Sequence, residues 1–184
     1  MRIAVTGRTG QIVRALMEAA PAQEVEVFPL GRPELELGLP ATIETALRAV
    51  APDIVINAAA YTAVEQAERE PEIARLVNSN GAGAVAAASR ALGVPVIHLS
   101  TDYVFDGNKE GAYVEDDPVG PQSVYGATKL GGERAVAAAT TDHLILRTSW
   151  VYAPYGKNFV RTMIQIAQSR AEVRVVADQI GCPT

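Results

Sequence analysis

The feature that most constrains the fold is a regular alternation of short apolar runs with longer segments of helical pattern. Several of these runs are continuously apolar, as expected of parallel strands that are covered on both faces. The predicted strands are Ile3–Val5, Val25–Phe28, Ile54–Ile56, Val94–Leu99, Leu144–Leu146 and Val173–Val176. The predicted helices cover residues 11–20, 41–50, 72–91, 123–139 and 158–169.

This order of elements predicts an α/β fold. Strand–helix–strand repetition without a break is typical of a doubly wound parallel sheet of the Rossmann type, a three-layer αβα arrangement. The chain has 184 residues, 48% of them hydrophobic, which is enough to bury one sizeable core. We therefore expect one dinucleotide-binding domain over residues 1–184. The chain stops in turn residues after the last predicted strand, which we interpret as a truncation point, with a natural terminus as the alternative.

Charge and cysteine content narrow the setting in which the protein works. The net charge of −5 argues against binding to nucleic acid or to an anionic membrane surface. The single cysteine, Cys182, cannot form an internal disulfide and fits a reducing compartment. No apolar run approaches the roughly 18 residues that span a bilayer, and a glycine turn follows the first strand too soon for a signal peptide. A cytoplasmic location is expected.

A glycine turn links the first predicted strand to the first predicted helix. In the segment Gly7-Arg8-Thr9-Gly10-Gln11-Ile12-Val13, Gly7 and Gly10 let backbone N–H groups approach a pyrophosphate at the positive end of a helix. Val13 stands where the common fingerprint has a third glycine, so we expect a slightly wider crossing of helix and strand. We interpret this turn as dinucleotide-binding; a plain strand-to-helix turn is the alternative.

Two further strand ends are candidates for cofactor contact. Leu30-Gly31-Arg32 ends the second strand without an acid for ribose hydroxyls, and Arg32 can either pair with a 2′-phosphate or lie solvated. The segment Asn57–Thr62 follows the third strand and is rich in small residues. We interpret it as a place where the cofactor riboses approach the backbone, close helix packing being the alternative.

The strongest signal for chemistry is Tyr125-Gly126-Ala127-Thr128-Lys129 on a predicted helix. Residues four apart lie on one helical face, so the phenol and the ammonium project together. An unperturbed tyrosine has a pKa of about 10 and is a poor acid at neutral pH. A neighbouring cation stabilises the phenolate and lowers its pKa, so we expect Lys129 to make Tyr125 a usable acid. The same lysine can hold the ribose hydroxyls of a nicotinamide nucleotide.

Polar residues at two strand ends supply the remaining candidates. The hydroxyl of Thr101, at the end of the fourth strand, can donate to a substrate carbonyl beside the tyrosine; capping a turn is the alternative. Residues 103–122 form a long polar stretch that we expect at the carboxyl edge of the sheet, where ligands bind. Trp150, the only tryptophan, follows the fifth strand and either stacks on a sugar ring or fills the core.

The remaining reactive side chains favour structural interpretations. His98 and His143 lie in or beside strands, where packing is the expected role. Cys182 has no partner and no nucleophilic context. No group of residues has the spacing of metal ligands.

Six segments together resemble a known family. GRTGQIV, INAAAYTAVEQAE, HLSTDYVFDG, YGATKLGGE, RTSWVYAPYGKNF and DQIGCPT resemble, in this order, segments of the dTDP-4-dehydrorhamnose reductases, which are extended short-chain dehydrogenases/reductases. The resemblance runs through almost all of the chain. It implies reduction of the C4 ketone of dTDP-4-dehydro-L-rhamnose by NADPH or NADH, a step that supplies rhamnose for cell-surface polysaccharide.

The resemblance also implies roles for individual residues. Tyr125 would be the proton donor, Lys129 its partner and ribose anchor, and Thr101 the hydroxyl that tunes the reaction. The nucleotide sugar would meet Thr101, Asp102 and Trp150. The implied cofactor contacts fall on Gly10, Gln11, Ile12, Glu36, Leu37, Ala60, Tyr61 and Thr62.

The chain departs from the family pattern in three respects. An acid often precedes the arginine at the position of Arg32, and its absence leaves the choice between NAD and NADP open. Val13 replaces a usual glycine. Family members continue past the position of Thr184 with a substrate lobe whose acidic residues are implicated in binding Mg²⁺ at a dimer interface. A homodimer is therefore possible, and the Mg²⁺ ligands have no counterpart here.

Two other function classes remain open on the residues alone. A nucleotide-sugar dehydratase or epimerase shares this fold. The dehydratases that this chain resembles have the sequence Thr-Asp-Glu at this position, whereas here Tyr103 follows Thr101-Asp102. The regulatory β subunit of methionine adenosyltransferase also resembles the family and acts as a binding module. An intact pair of Tyr125 and Lys129 favours the reductase.

Overall fold

Five parallel strands form the centre of the molecule. The computed structural model describes residues 1–184 and orders the strands β2-β1-β3-β4-β5. Their bounds are Arg2–Thr6 for β1, Glu26–Leu30 for β2, Ile54–Asn57 for β3, Val96–Thr101 for β4 and His143–Thr148 for β5. The chain order reverses direction between β1 and β3, so the predicted doubly wound parallel sheet is confirmed.

Six α-helices lie between the strands, and a seventh follows β5. They are α1 (Gln11–Ala19), α2 (Pro40–Val50), α3 (Val64–Ala67), α4 (Pro71–Arg75), α5 (Ala82–Leu92), α6 (Val124–Ala139) and α7 (Phe159–Ser169). Polar side chains set the start of the last two: the Ser123 hydroxyl accepts from the Gly126 N–H at 3.1 Å, and the Asn158 amide oxygen accepts from the Arg161 N–H at 3.0 Å. Such caps satisfy N–H groups that have no partner within the helix. None of the helices is both long and apolar enough to cross a bilayer.

The helix predicted over residues 72–91 contains a π-helical turn. A π-helical turn over Leu76–Gly81 separates α4 from α5. This wider turn carries Asn78, which is buried and bonds to the loop after β3. A Cβ atom at Gly81 would lie 2.8 Å from the backbone oxygen of Leu37, so the close contact of this turn with residues 35–37 requires glycine. The predicted helix is therefore present as an unbroken run of α- and π-helical residues, but apolar periodicity does not report these tertiary contacts, and the π turn was not predicted.

The prediction of a sixth strand is wrong. Residues 173–176 have no regular structure, and Val175 and Val176 are exposed. Their backbone makes no hydrogen bonds to β5. A β-branched apolar run favours extended backbone. A strand forms, however, only where its N–H and C=O groups can form hydrogen bonds with a neighbouring strand.

The sheet is packed on both faces. Ala4, Val55 and Val96 face α2, α5 and α6 and form the larger cluster of buried side chains. The opposite face holds Val5 and Ile56 against α1. Val13 of α1 is fully buried there, directly under the first glycine turn. The helix therefore accommodates valine at the position where the common fingerprint has a third glycine.

A chain of buried polar groups crosses the sheet. The Thr6 hydroxyl donates to the Asn57 amide oxygen at 2.7 Å, and the Asn57 amide nitrogen lies 3.0 Å from Nδ1 of His98. Nε2 of His98 has no hydrogen-bond partner. Burial, aided by the charge of Lys129, lowers the pKa of His98 to about 3. The packing role expected for His98 fits this neutral, buried imidazole.

This imidazole should make stability depend on pH. An unfolded chain binds a proton on His98 below about pH 6.5, while the folded chain resists protonation until about pH 3. Since the unfolded state then holds more protons, the free energy of unfolding should fall on acidification by up to about 1.4 kcal/mol per pH unit. Urea unfolding between about pH 7 and pH 5 measures this slope. The slope should be smaller for His98→Gln; identical slopes would contradict the assignment.

Candidate active site

The carboxyl ends of the parallel strands meet at one edge of the sheet. This edge carries the turn after β1, the loop after β3, the end of β4 and the residues after β5. A cleft lies where β4 and β5 end. Its lining includes Thr62, Thr101, Asp102, Tyr103, Tyr125 and Trp150. In open α/β sheets, ligands bind at this edge.

Tyr125 is placed in the cleft by the tight approach of α6. A Cβ atom at Gly126 would lie 2.2 Å from the carbonyl oxygen of Tyr103, a distance that no side chain tolerates. The glycine therefore lets the first turn of α6 contact the backbone after β4. The ring of Tyr125 packs edge-to-face against that of Tyr103, with centroids 5.5 Å apart.

The pKa of Tyr125 differs from the expectation. Burial is the main cause that raises the pKa of this phenol above its ordinary value, and the negative charge of Asp102 acts in the same direction. The Thr101 hydroxyl is the group that lowers it. Lys129 is not among the groups that shift it, so the predicted acidifying effect of the lysine is not found. The reason is positional: the ammonium is turned to the backbone of β4.

Lys129 lies beneath the cleft, with only 3% of its surface exposed. Its Nζ donates to the carbonyl oxygen of Leu99 at 2.5 Å. Burial lowers the pKa of Lys129 to about 8, and the negative charge of Glu133 opposes this shift. A charge held in so little water is sensitive to its few neighbours, because screening by solvent is weak.

Thr101 and Asp102 form a local unit at the end of β4. The Thr101 hydroxyl donates to Asp102 Oδ1 at 3.0 Å and accepts from the Tyr103 N–H at 3.2 Å. Burial raises the pKa of Asp102, while the hydrogen bond from Thr101 lowers it. The turn-capping role considered for Thr101 is thus present, and the same residue lines the cleft.

The glycine turn lies at the same edge, after β1. Gly7 has a φ of +103°, which glycine adopts without strain, and its N–H donates to the Leu30 carbonyl at 2.6 Å. Gly10 is exposed and precedes α1, and no side chain caps this helix. The first N–H groups of α1 are therefore available to an anion. Beside them, Gln11 Oε1 accepts from the Asn158 amide at 2.7 Å.

Asn78 is a site residue that the sequence did not single out. Its side chain accepts from the Tyr61 N–H at 2.7 Å and donates to the Tyr61 carbonyl at 3.1 Å, closing the loop after β3. It also donates to the Thr128 hydroxyl of α6 at 3.1 Å. The loop proposed to face the cofactor is thereby tied to the helix of Tyr125. An asparagine within a helical pattern gives no signal of this role.

The other candidates for cofactor contact lie after β2. Arg32 is exposed and makes no ion pair with an acidic residue. The backbone N–H of Glu36 donates to the Thr42 hydroxyl at 3.0 Å. Leu37 is buried in the main core, so only its backbone is free to meet a ligand. Arg8, rather than Arg32, pairs with Glu34 across this end of the edge.

Trp150 follows β5 and lines the cleft. It is 39% exposed, packs edge-to-face against Phe159 at 5.4 Å, and has a φ of +49°. A positive φ is uncommon for a bulky residue and marks backbone held by its surroundings. Residues 181–184 lie alongside, and the Ser149 hydroxyl donates to the Cys182 carbonyl at 2.6 Å. The indole therefore faces the cleft instead of filling the core.

No three or more His, Cys, Asp or Glu side chains come together in an arrangement that could hold a metal ion. The residues present therefore do not fit a resident Mg²⁺, and no chemistry is assigned to one. The structure thus brings Thr62, Thr101, Asp102, Tyr125 and Trp150 to one cleft. Lys129 lies just below it, and the glycine turn occupies another part of the same edge.

Known proteins are similar to this chain in sequence and in fold. The model of the RmlD substrate binding domain family matches residues 1–184. A dTDP-4-dehydrorhamnose reductase of Sinorhizobium fredii is 55% identical over 184 residues, which are the whole of this chain and 62% of that protein. The corresponding enzyme of Escherichia coli is 44% identical over 187 residues, again covering 62% of its length.

A solved structure agrees closely with the fold. The dTDP-4-dehydrorhamnose reductase of Bacillus anthracis, in complex with NADP, superimposes with a TM-score of 0.95 at 40% identity. The match covers the whole of this chain and 65% of that one. The chain thus spans less than two thirds of these relatives. Since the family model matches every residue, the chain belongs to the RmlD substrate binding domain family.

Proposed function

We propose that this chain carries the nucleotide-binding and catalytic part of a reductase that acts on the C4 ketone of dTDP-4-dehydro-L-rhamnose to give dTDP-L-rhamnose. The observation that carries this proposal is the placement of Tyr125 and Thr101 on one cleft, with Lys129 one helical turn further along α6. The relatives named dTDP-4-dehydrorhamnose reductase support the choice of substrate.

The cofactor of the proposed reaction is NADPH or NADH. The exposed Gly10 and the uncapped start of α1 fit a pyrophosphate, since free N–H groups and the helix dipole favour negative charge. The proposed set for the cofactor is Gly7, Gly10, Gln11, Ile12, Arg32, Glu36, Leu37, Ala60, Tyr61, Thr62, Tyr125 and Lys129. Arg32, with no acidic partner, suits a 2′-phosphate, and the relative solved with NADP supports that form.

The cofactor supplies the hydride that reduces the ketone carbon. Tyr125 donates its phenol proton to the ketone oxygen. Because its pKa is raised, the phenol is protonated at neutral pH before the reaction. Thr101, the group that lowers this pKa, stabilises the phenolate left behind. Lys129, one helical turn further along α6, is proposed to anchor the ribose hydroxyls of the cofactor.

The substrate residues are proposed in the same cleft. Thr101 and Asp102 offer polar groups, and the exposed face of Trp150 offers a flat apolar surface for a sugar ring. Tyr103 occupies the position next to Asp102, so the second acid used in the dehydratase sequence is absent and reduction is preferred over elimination. A cytoplasmic location and a homodimer remain predictions.

The proton donor can be tested by one substitution. Tyr125→Phe removes the phenol proton and keeps the ring, so turnover should fall by about 100-fold or more, since general acid catalysis contributes about 10²–10⁴-fold. The measurement is NADPH oxidation with dTDP-4-dehydro-L-rhamnose, beside NADPH affinity from fluorescence titration. The control is Tyr152→Phe, an exposed tyrosine. Retained turnover in Tyr125→Phe would reject the proposed function.

The cofactor turn can be tested separately. Gly10 has an ordinary extended conformation, and an added Cβ would come no closer than 4.0 Å to Val13. Gly10→Ala should therefore change the unfolding free energy by less than about 1 kcal/mol. The same methyl group would stand where the pyrophosphate approaches the backbone, so NADPH affinity should fall by about tenfold or more. Unchanged affinity would place the dinucleotide elsewhere.

A further inference from the structure

Glu133 is a buried carboxylate that the proposed chemistry does not use. It lies on α6, one turn beyond Lys129 and two turns beyond Tyr125, and 6% of its surface is exposed. Residues four apart share one face of a helix. The carboxylate is therefore the third polar group on the face of α6 that meets the sheet.

Both oxygens of Glu133 are bound by strand residues. The Ser100 hydroxyl of β4 donates to Oε1 at 2.5 Å, and Arg147 of β5 donates from Nε to Oε1 at 2.9 Å and from Nη2 to Oε2 at 2.8 Å. Ser100 and Arg147 are direct neighbours in the register of β4 and β5. The fork of arginine and carboxylate fixes orientation as well as distance.

These bonds attach α6 to the same short piece of β4 that carries the proposed chemistry. Lys129 binds the carbonyl of Leu99, Glu133 binds the hydroxyl of Ser100, and Thr101 lines the cleft together with Tyr125. Three consecutive strand residues thus lie against three residues of one helical face. Of these attachments, the one at Glu133 alone also reaches β5.

We propose that Glu133 is a positioning residue: by binding Ser100 and Arg147 together, its carboxylate holds the helix of Tyr125 and Lys129 in register with Thr101. This inference rests on the proposed function, because it assigns Glu133 a task in that same site. Glu133 touches neither the cleft nor the reacting atoms, so it acts through its neighbours.

The charge of Glu133 has a second consequence. Burial lowers the pKa of Lys129, and Glu133 is the group that raises it again. The other polar groups of this region are the neutral His98 of β4, Tyr125 of α6, Asp102 after β4 and Arg147 of β5. Loss of the carboxylate would leave Arg147 without its partner as well. Lys129 would then lose its proton at a lower pH.

The experiment follows the lysine directly, without turnover. The chain has three lysines, Lys109, Lys129 and Lys157, so lysine labelled with carbon-13 at Cε gives three NMR signals, and Lys129→Arg assigns one of them. In the unmodified protein the Lys129 signal should titrate near pH 8. In Glu133→Gln its midpoint should fall by about half a pH unit or more.

Turnover is measured on the same variants. Glu133→Gln should lose about tenfold or more in kcat, and Glu133→Asp, which keeps the charge on a shorter side chain, should lose less and keep the Lys129 midpoint. Glu44→Gln, in an exposed pair with Arg48, is the control and should change neither quantity. A folded Glu133→Gln with native turnover and a native midpoint would overturn the proposal.

Three results distinguish failure of the positioning role from failure of the proposed function. If Glu133→Gln does not fold, Glu133→Asp decides, and native kcat in that variant overturns the positioning role. If Tyr125→Phe retains turnover, the proposed function fails, whatever the NMR titration shows. If Tyr125→Phe is inactive and Glu133→Gln is unaltered in both quantities, only the inference about Glu133 fails.

Discussion

The close contact between α6 and β4 is the constraint on which the rest of the site depends. Gly126 allows it, because a Cβ there would lie 2.2 Å from the carbonyl oxygen of Tyr103, just after β4. A Cβ at Gly132 would lie 2.3 Å from the carbonyl oxygen of Asn78, so this second glycine lets α6 pack closely on the π turn as well. Once the helix is this close, polar groups between it and the sheet lose water and must bond to each other. Lys129 and Glu133 do so with Leu99 and Ser100. The geometry of the candidate site is therefore inseparable from the packing of one helix.

Buried polar residues fix the positions of the loops at this edge of the sheet through their hydrogen bonds. Asn78 ties the loop after β3 to α6, and Asn57 joins β1 to β4 through Thr6 and His98. Each such group costs stability unless its partners are in place, so these residues specify one arrangement of loops more sharply than apolar contacts can. The same arrangement leaves the first N–H groups of α1 unpaired by protein, which suits a ligand with phosphates.

Much of the fold was predictable because it rests on local pattern. Five apolar runs became five parallel strands, and the segments around Gly10, Thr101, Tyr125 and Trp150 all reached the same edge, since parallel strands end together. Prediction of secondary structure failed where the local structure depends on contacts with residues distant in the sequence. Residues 173–176 have strand propensity but no strand bonded to them. The π turn and the role of Asn78 arise from contacts with distant segments that periodicity does not encode.

The sequence by itself determined the class of fold, the positions of the glycine turn and the spacing of Tyr125 and Lys129, because each depends on residues close together in the chain. Only the tertiary structure decided the state of these groups. The Tyr125 phenol has a raised pKa because it is buried, and Lys129 faces the backbone of β4 rather than acting on that phenol. Charge and solvation depend on which distant atoms surround a group, and folding alone brings those atoms together.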